Sequence, residues 1–287
     1  DKGKNRSTFP KVSLSPIARI PLLLSALCLD APLVAVGWAI LLSNSKHLHP
    51  PTLAALFFAV WAIYLADRIR DSKTDSTPDG ETVRHQFAEH HRGLMIALFI
   101  LAIPGGVFAA LSGLQTETIV AGSGVATATA GYFVIIGWRN QNPSPRFLPV
   151  KEIAIALCFA CGVKIGAGTP HFVEWLTWDT LALASLFLTN CLVISKAETS
   201  RDRSIDPHAF FATSSTRSEL WIVAPALLTI VLGLYLAFTF CAGAGSCLIT
   251  CTAGLAWINR WPKKRASWVQ AASDGVLILP WIAVALS

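Results

Sequence analysis

The sequence predicts an all-α, polytopic membrane protein with nine transmembrane helices, and three observations support that fold class. Apolar residues make up 53% of the 287 residues and charged residues only 14%, with a mean hydropathy of +0.55. A soluble domain of this length needs a more charged surface. The apolar residues also come in blocks of about 20, the length that crosses a bilayer core as a helix. Finally, the basic residues are distributed asymmetrically along the chain.

Polar, Pro-rich and Gly-rich clusters separate the apolar blocks, for example at residues 43–51, 141–145 and 260–264. No alternating strand pattern competes, and only helices or closed barrels satisfy backbone polar groups in lipid. We predict a cytoplasmic N-terminal segment at residues 1–17 and a single transmembrane domain at residues 18–287. Its helices are predicted at 18–43, 51–70, 93–114, 117–138, 150–168, 176–197, 219–240, 243–259 and 269–286.

The Lys and Arg positions predict the orientation. With a cytoplasmic N-terminus, 21 of the 23 basic residues lie before the core of the first helix or near the loops after helices 2, 4, 6 and 8. The outside loops hold only Lys46, and Lys164 lies inside the fifth helix. This asymmetry is the positive-inside rule. It explains the net charge of +6 without a nucleic-acid partner and predicts contact with membrane lipids.

Two acidic clusters lie at matching positions in the predicted topology. Asp67 and Asp71 end helix 2, and Glu198 and Asp202 follow helix 6. Residues four apart project from one helix face. Because helices 2 and 6 occupy equivalent positions, the sequence favours a weak parallel repeat of two four-helix halves, followed by a ninth helix.

Carboxylate pairs of this kind suit a magnesium–phosphate site. Mg²⁺ is typically held by one or two protein carboxylates and shares its other positions with phosphate oxygens and water. A single acidic pair at a helix end is usually only a solvated interface, but the matched pairs favour a site on the cytoplasmic side. The nearby side chains that could hold phosphate oxygens are Arg68, Arg70, Arg84, Arg201, Arg203, Lys151 and Lys196.

These motifs resemble the UbiA superfamily of intramembrane aromatic prenyltransferases, with this chain as a divergent member. That family has nine helices, Asn-Asp-x-x-Asp-x-x-x-Asp after helix 2 and Asp-x-x-x-Asp after helix 6. The run from Tyr64 to Asp71 matches the second half of the first motif and includes the common Ala-Asp-Arg sequence. Glu198 and Asp202 match the second motif with a Glu-for-Asp change. Arg84 and Lys151 lie where the family often has basic residues.

The resemblance implies a UbiA-like helical bundle with a central cavity, in which a prenyl diphosphate ionises with Mg²⁺ as cofactor. The implied metal ligands, which are also the catalytic residues, are Asp67, Asp71, Glu198 and Asp202. The implied substrate-binding residues are Tyr64, Arg68, Arg84, Lys151 and Arg201.

The sequence departs from the family where the leading Asn-Asp pair falls on Ile63 and Tyr64. One usual Mg²⁺ ligand is therefore missing, which leaves a single ion, an ion repositioned with Asp75, or a divergent reaction open. The function implied first is transfer of a polyprenyl group to a lipophilic acceptor. The alternatives are a UbiA-type membrane terpene cyclase and a non-catalytic lipid-phosphate binding or transport protein.

Two further carboxylates lie inside apolar helices. An intramembrane carboxylate is functional by default, so Asp30 is a further candidate for substrate binding. Its alternative role is to satisfy backbone groups that Pro32 leaves free. Asp274, in the ninth helix, is expected only to snorkel or to pair with a neighbour.

Overall fold

The computed structural model describes residues 23–43, 48–71, 83–141, 148–171, 175–199, 210–213, 218–261 and 266–286. All regular secondary structure in these residues is helical. The helices are α1 (Asp30–Leu42), α2 (Pro50–Asp71), α3 (Val83–His90), α4 (Arg92–Leu111), α5 (Thr116–Gln141), α6 (Val150–Gly166), α7 (Trp178–Ala197), α8 (Phe210–Thr213), α9 (Ser218–Thr239), α10 (Ala242–Ile258), α11 (Ala266–Val276) and α12 (Leu279–Leu286). The predicted N-terminal segment at 1–17 lies outside the described residues.

The chain is a multi-pass membrane protein. Six helical stretches are long and apolar enough to cross a membrane: Pro50–Arg70, Arg92–Leu111, Thr116–Ile135, Trp178–Ala197, Glu219–Thr239 and Ala266–Ala285. Two shorter apolar helices, α1 and α10, accompany them. Large apolar side chains such as Phe108 and Phe238 are exposed on the outer faces of α4 and α9, as a lipid-facing surface requires. Within the described residues, helices occur at all nine predicted positions, two of them interrupted, while nine separate crossings stay a prediction.

The first predicted helix, 18–43, is wrong as one continuous element. The chain leaves the helical path before α1, where Cys28 has a positive φ of 55°. Pro32 has no N–H for the carbonyl group four residues earlier, which weakens the helix there. The indole N–H of Trp61 in α2 donates to the carbonyl of Leu27 over 3.0 Å. A side chain of the neighbouring helix therefore satisfies part of the interrupted backbone.

The last predicted helix, 269–286, is also interrupted, between α11 and α12. Pro280 cannot donate to the carbonyl of Val276, and the thiol of Cys251 donates to that carbonyl instead over 3.2 Å. The indole N–H of Trp38 donates to the next carbonyl, that of Leu277, also over 3.2 Å. The interruption is thereby tied to α10 and α1.

Helix α7 is the central helix of the bundle. Of its apolar stretch, 67% is buried inside the protein, against 11% for the stretch in α5. It packs against α6, α9, α10 and α11. The ring of its Phe187 meets the ring of Trp38 from α1 edge to face, with centroids 6.5 Å apart. Helices α4 and α5 lie at the periphery, where α4 packs on α2 and α5 on α6.

Helices α9 and α10 approach closely through small residues, as helices in membranes commonly do. A Cβ atom added to Gly245 would lie 2.5 Å from the backbone nitrogen of Ala237 and would also collide with the carbonyl oxygen of Gly233. Both obstacles belong to backbone, which cannot rotate away. Glycine at position 245 is therefore needed for this helix pair to close.

We expect Gly245→Ala to lower the stability of the folded protein by about 1–3 kcal/mol or more, the usual cost of overpacking. The matched control is Gly93→Ala, because a Cβ there would meet no atom within 4 Å. Thermal unfolding of both variants in the same detergent measures the difference. Equal melting temperatures for Gly245→Ala and the unsubstituted protein would contradict this packing.

Candidate functional site

A large cavity lies inside the bundle between α2, α4, α5, α6 and α7. Its volume is about 1030 Å³, at the upper end of the range of small-molecule sites. Small side chains on the surrounding helices leave this space open. They include Ala59, Gly106, Gly122, Ala126, Ala154 and Gly162. Most of the wall is apolar, so the cavity suits a hydrocarbon chain.

The charged side chains of the described lining, apart from Asp274, lie at one end of the cavity. Asp67 lies in the last turn of α2, Lys151 is the second residue of α6, and Glu198 directly follows α7. Because these helix ends meet on one side of the bundle, all three side chains line the same end of the cavity. Thr52 and Gly166, which lie at the other ends of α2 and α6, line the opposite end. The site therefore combines an apolar interior with one charged end.

Asp67 forms an ion pair within α2. Its Oδ1 lies 2.7 Å from Nη2 of Arg70, and the Arg70 guanidinium lies over the ring of Phe133 in α5, 5.1 Å from the centroid. Arg68, one residue further along α2, is buried and also lines the cavity. Asp67 therefore lines the cavity together with two cationic side chains of α2, those of Arg68 and Arg70.

Glu198 is held from α11. Its Oε1 accepts a hydrogen bond from Nε2 of the buried Gln270. Lys196, two residues earlier, points away from the cavity. Its Nζ lies 2.6 Å from Glu219 Oε1 and donates to Asn259 Oδ1 over 3.0 Å. Lys196, a sequence candidate for phosphate binding, is therefore engaged outside the cavity lining.

Sequence reasoning missed two polar residues of the cavity wall, Glu152 and Asn190. The carboxylate of the buried Glu152 accepts a hydrogen bond from Ser195 Oγ over 3.0 Å. Nδ2 of Asn190 in α7 donates to Oδ1 of Asp274 over 3.0 Å. All four side chains line the cavity. The expectation that Asp274 pairs with a neighbour thus fits, but the pair belongs to the cavity wall.

Tyr132 in α5 also lines the cavity. The next residue of α5, Phe133, lines it too, and its ring contacts the Arg70 guanidinium at 5.1 Å from the centroid. Helix α5 therefore borders the charged end.

Several predicted site residues are not brought to this cavity by the described structure. Asp30 does not line it: its Oδ1 accepts the N–H of Ala31 over 2.9 Å at the start of α1. A carboxylate in the first turn of a helix is favoured by the helix dipole. Arg84 and Asp71 lie in α3 and α2, but their side chains are outside the described part, as are Asp75, Arg201, Asp202 and Arg203 entirely. Tyr64 does line the cavity.

The donor chemistry at the charged end suits Mg²⁺ together with a phosphate ligand. Within the described residues, no group of three or more His, Cys, Asp or Glu side chains could hold a metal ion by itself. Mg²⁺ in phosphate sites needs only one or two carboxylates, and Asp67 and Glu198 line one cavity. Two carboxylates are too few to cage the ion, so a Mg²⁺ held here would share its other positions with phosphate oxygens and water.

Comparison of the chain with protein-family models, curated proteins and solved structures finds no match. The resemblance to the UbiA superfamily therefore rests on the sequence motifs alone and stays a prediction.

The cavity predicts a difference in reactivity between two cysteines. Cys158 lines the cavity and is half-buried, whereas Cys251 is completely buried and lies outside the lining. We expect N-ethylmaleimide to modify Cys158 well before Cys251 in the purified, folded protein. Peptide mass spectrometry over a time course measures both. Modification of Cys251 first, or of both at one rate, would argue against an open cavity at Cys158.

Proposed function

We propose that this chain is a Mg²⁺-dependent intramembrane prenyltransferase of the UbiA type, which transfers a polyprenyl group from a prenyl diphosphate to a lipophilic acceptor. The observation that carries the proposal is the cavity of about 1030 Å³ with mostly apolar walls and a charged end. A prenyl diphosphate has the same division, with a hydrocarbon chain and a polyanionic head. The sequence motifs independently suggest the same substrate class.

Different residues of the cavity would bind the two parts of the substrate. Arg68 and Lys151 would hold the diphosphate oxygens, since guanidinium and ammonium groups make strong charge-assisted hydrogen bonds to phosphate. Arg84 and Arg201 are further candidates from the sequence. The apolar wall would receive the prenyl chain and exclude water from the reacting carbon.

Asp67 and Glu198 would hold Mg²⁺ together with diphosphate oxygens, and Asp71 and Asp202 are the further candidates from the sequence. An ion held there would supply positive charge to the leaving diphosphate. Ile63 and Tyr64, which stand in place of the family's Asn-Asp pair, both line the cavity. Their position supports a site with fewer protein ligands than the family usually has.

Aromatic side chains in the cavity wall suit an allylic cation. Tyr64, Tyr132, Phe133 and Phe159 line the cavity from α2, α5 and α6. The face of an aromatic ring attracts a cation by its quadrupole. These rings would stabilise the developing positive charge between loss of diphosphate and bond formation with the acceptor.

We also propose that the N-terminus and the charged end of the cavity face the cytoplasm. The support is the distribution of basic residues along the chain, which follows the positive-inside rule. The charged end is formed by the end of α2, the start of α6 and the end of α7, which adjoin loops rich in Lys and Arg. The diphosphate head group of the substrate would thus enter the cavity from the cytoplasmic surface.

We expect Asp67→Asn to lower turnover of a radiolabelled prenyl diphosphate at least about 100-fold, since it removes charge stabilisation that grows in the transition state. The change keeps the side-chain shape. Glu117→Gln is the matched control, because Glu117 is an exposed carboxylate at the start of α5, outside the cavity lining. Turnover by Asp67→Asn at the rate of this control would overturn the assignment of Asp67.

Removal of divalent cations from the unsubstituted protein should also abolish turnover of the prenyl diphosphate. We expect EDTA to reduce turnover to background and added Mg²⁺ to restore it, because the diphosphate leaves poorly without a neutralising cation. Mass analysis of lipid extracts identifies the product. Terpene hydrocarbons or alcohols formed without added acceptor would identify a cyclase, and diphosphate binding without product or Mg²⁺ dependence would identify a binding or transport protein.

A further inference from the structure

The cavity has the same depth along two of its helices. In α2, fifteen positions separate Asp67 at the charged end from Thr52, the first lining residue of that helix. In α6, fifteen positions also separate Lys151 from Gly166, the last lining residue. At the rise of an α-helix, both intervals correspond to a depth of about 22 Å. A bound chain can therefore be compared with a defined length.

Close packing narrows the end of the cavity that lies opposite the charged end. A Cβ atom added to Gly166 would lie 2.6 Å from Cδ2 of Leu56 in α2 and 3.1 Å from Cβ of Ala39 in α1. A Cβ atom at Gly113, which follows α4, would lie 3.4 Å from Cγ of Pro51 at the start of α2. Helices α1, α2, α4 and α6 thus approach one another at this level, and a chain cannot continue between them.

A prenyl chain can be measured against this depth. One isoprene unit adds four bonds to the chain, and at about 1.5 Å per carbon–carbon bond in a zigzag it adds about 5 Å of extended length. Four units therefore extend over about 20 Å. This length is close to the depth of the cavity, whereas nine units are about twice as long.

The volume of the cavity sets a second limit. A carbon-sized group takes up about 30 Å³, the share of one water molecule in the liquid, so the twenty carbons of four isoprene units need about 600 Å³. The cavity of about 1030 Å³ leaves the remainder for a diphosphate and an acceptor. By the same measure, the forty-five carbons of nine units need about 1350 Å³, which is more than the cavity contains.

Two glycines lie at equal depth on the neighbouring helices α5 and α6. Gly162 of α6 follows Lys151 by eleven positions. Gly122 of α5 precedes Phe133 by eleven positions, and the Phe133 ring contacts Arg70 at the charged end. Both glycines line the cavity, and the helical rise places each about 16 Å from the charged end. An extended chain reaches this level with its fourth isoprene unit.

We propose that the cavity limits the donor to a prenyl diphosphate of about four isoprene units, and that Gly122 and Gly162 leave the space for the fourth unit. This inference rests on the proposed function, and it specifies the donor chain length that the sequence motifs leave open. The diphosphate lies at the charged end, and the prenyl chain extends from it along α5 and α6 towards Thr52. Chains of nine units exceed both the depth and the volume.

A glycine that served only helix packing would have a neighbouring helix against it. Gly245 is of that kind, since the backbone of α9 occupies the place of a side chain there. Within the described residues, a Cβ atom at Gly122 would meet no atom within 4 Å, and one at Gly162 would meet only Leu56, at an ordinary contact distance of 3.6 Å. These two glycines therefore border open space.

The test measures the affinity of tritiated prenyl diphosphates with two, three, four and nine isoprene units. Binding to the purified, immobilised protein is followed by scintillation proximity in one detergent, with Mg²⁺ and without acceptor, after subtraction of partition into protein-free micelles. We expect the nine-unit diphosphate to bind at least about tenfold more weakly than the four-unit diphosphate, because a chain that does not fit carries the cost of overpacking.

Two leucine substitutions should shorten the cavity in steps. Gly122→Leu places a side chain at the level of the fourth unit, so we expect it to lower the affinity for four units about tenfold and to leave the affinity for two and three units unchanged. Ala126, one turn nearer the charged end on the same face of α5, also lines the cavity. Ala126→Leu should lower the affinity for three and four units by a similar factor and leave that for two units unchanged.

Gly124→Leu is the matched control. Gly124 is exposed on the same helix and lies outside the lining, and within the described residues a Cβ atom there would meet no atom within 4 Å. This variant should leave all four affinities unchanged. Ala126→Leu keeps the test valid if Gly122→Leu does not fold. Equal affinity for four and nine units, or a loss in the leucine variants that is the same for every chain length, would overturn the length limit.

The length limit and the proposed function can fail separately. Turnover of prenyl diphosphates that depends on Asp67 but not on chain length would leave the prenyltransferase standing and refute the limit. Binding with a length limit that Gly122→Leu shortens, in a protein without turnover, would support the limit and refute the proposed reaction.

Discussion

The burial of α7 is the constraint on which the rest of the structure depends. A helix surrounded by α6, α9, α10 and α11 has little contact with lipid or water, so its polar side chains must be satisfied inside the protein. Asn190, Ile194 and Glu198 follow one another at intervals of four and therefore lie on one face. That face lines the cavity. The polar side chains that α7 presents to the cavity thus lie on one side of this helix.

The same requirement explains how the bundle tolerates its interrupted helices. An interrupted helix leaves carbonyl groups without their helical N–H partners, and lipid cannot satisfy them. Side chains from neighbouring helices do so here: Trp61 donates to Leu27, Trp38 donates to Leu277, and Cys251 donates to Val276, the carbonyl that Pro280 leaves unpaired. Trp281 completes this arrangement by donating to the carbonyl of Leu33 over 2.8 Å. The interruptions therefore lock α1, α2, α10 and α12 to one another.

Sequence reasoning could place the helices because bilayer thickness imposes a length of about 20 apolar residues. It could not place the interruptions at Cys28 and Leu277, because the side chains that satisfy the freed carbonyls come from distant parts of the chain. Asp67 and Glu198 could be predicted from the sequence, because each begins an acidic pair with four-residue spacing at the end of an even-numbered predicted helix. Glu152 and Asn190 could not, since an isolated polar residue in an apolar helix carries no spacing signal. Only tertiary structure shows that they share a cavity with Asp67.

The charges that line the cavity also bear on how a diphosphate could bind. The described lining includes four carboxylates, those of Asp67, Glu152, Glu198 and Asp274, and three cations, those of Arg68, Arg70 and Lys151. Arg70 is already paired with Asp67. A polyanion entering this site would meet at least as much negative as positive protein charge, and like charges repel strongly where water is scarce. A bound divalent cation would offset the negative charge of these described lining residues, which agrees with the proposed Mg²⁺-dependent reaction.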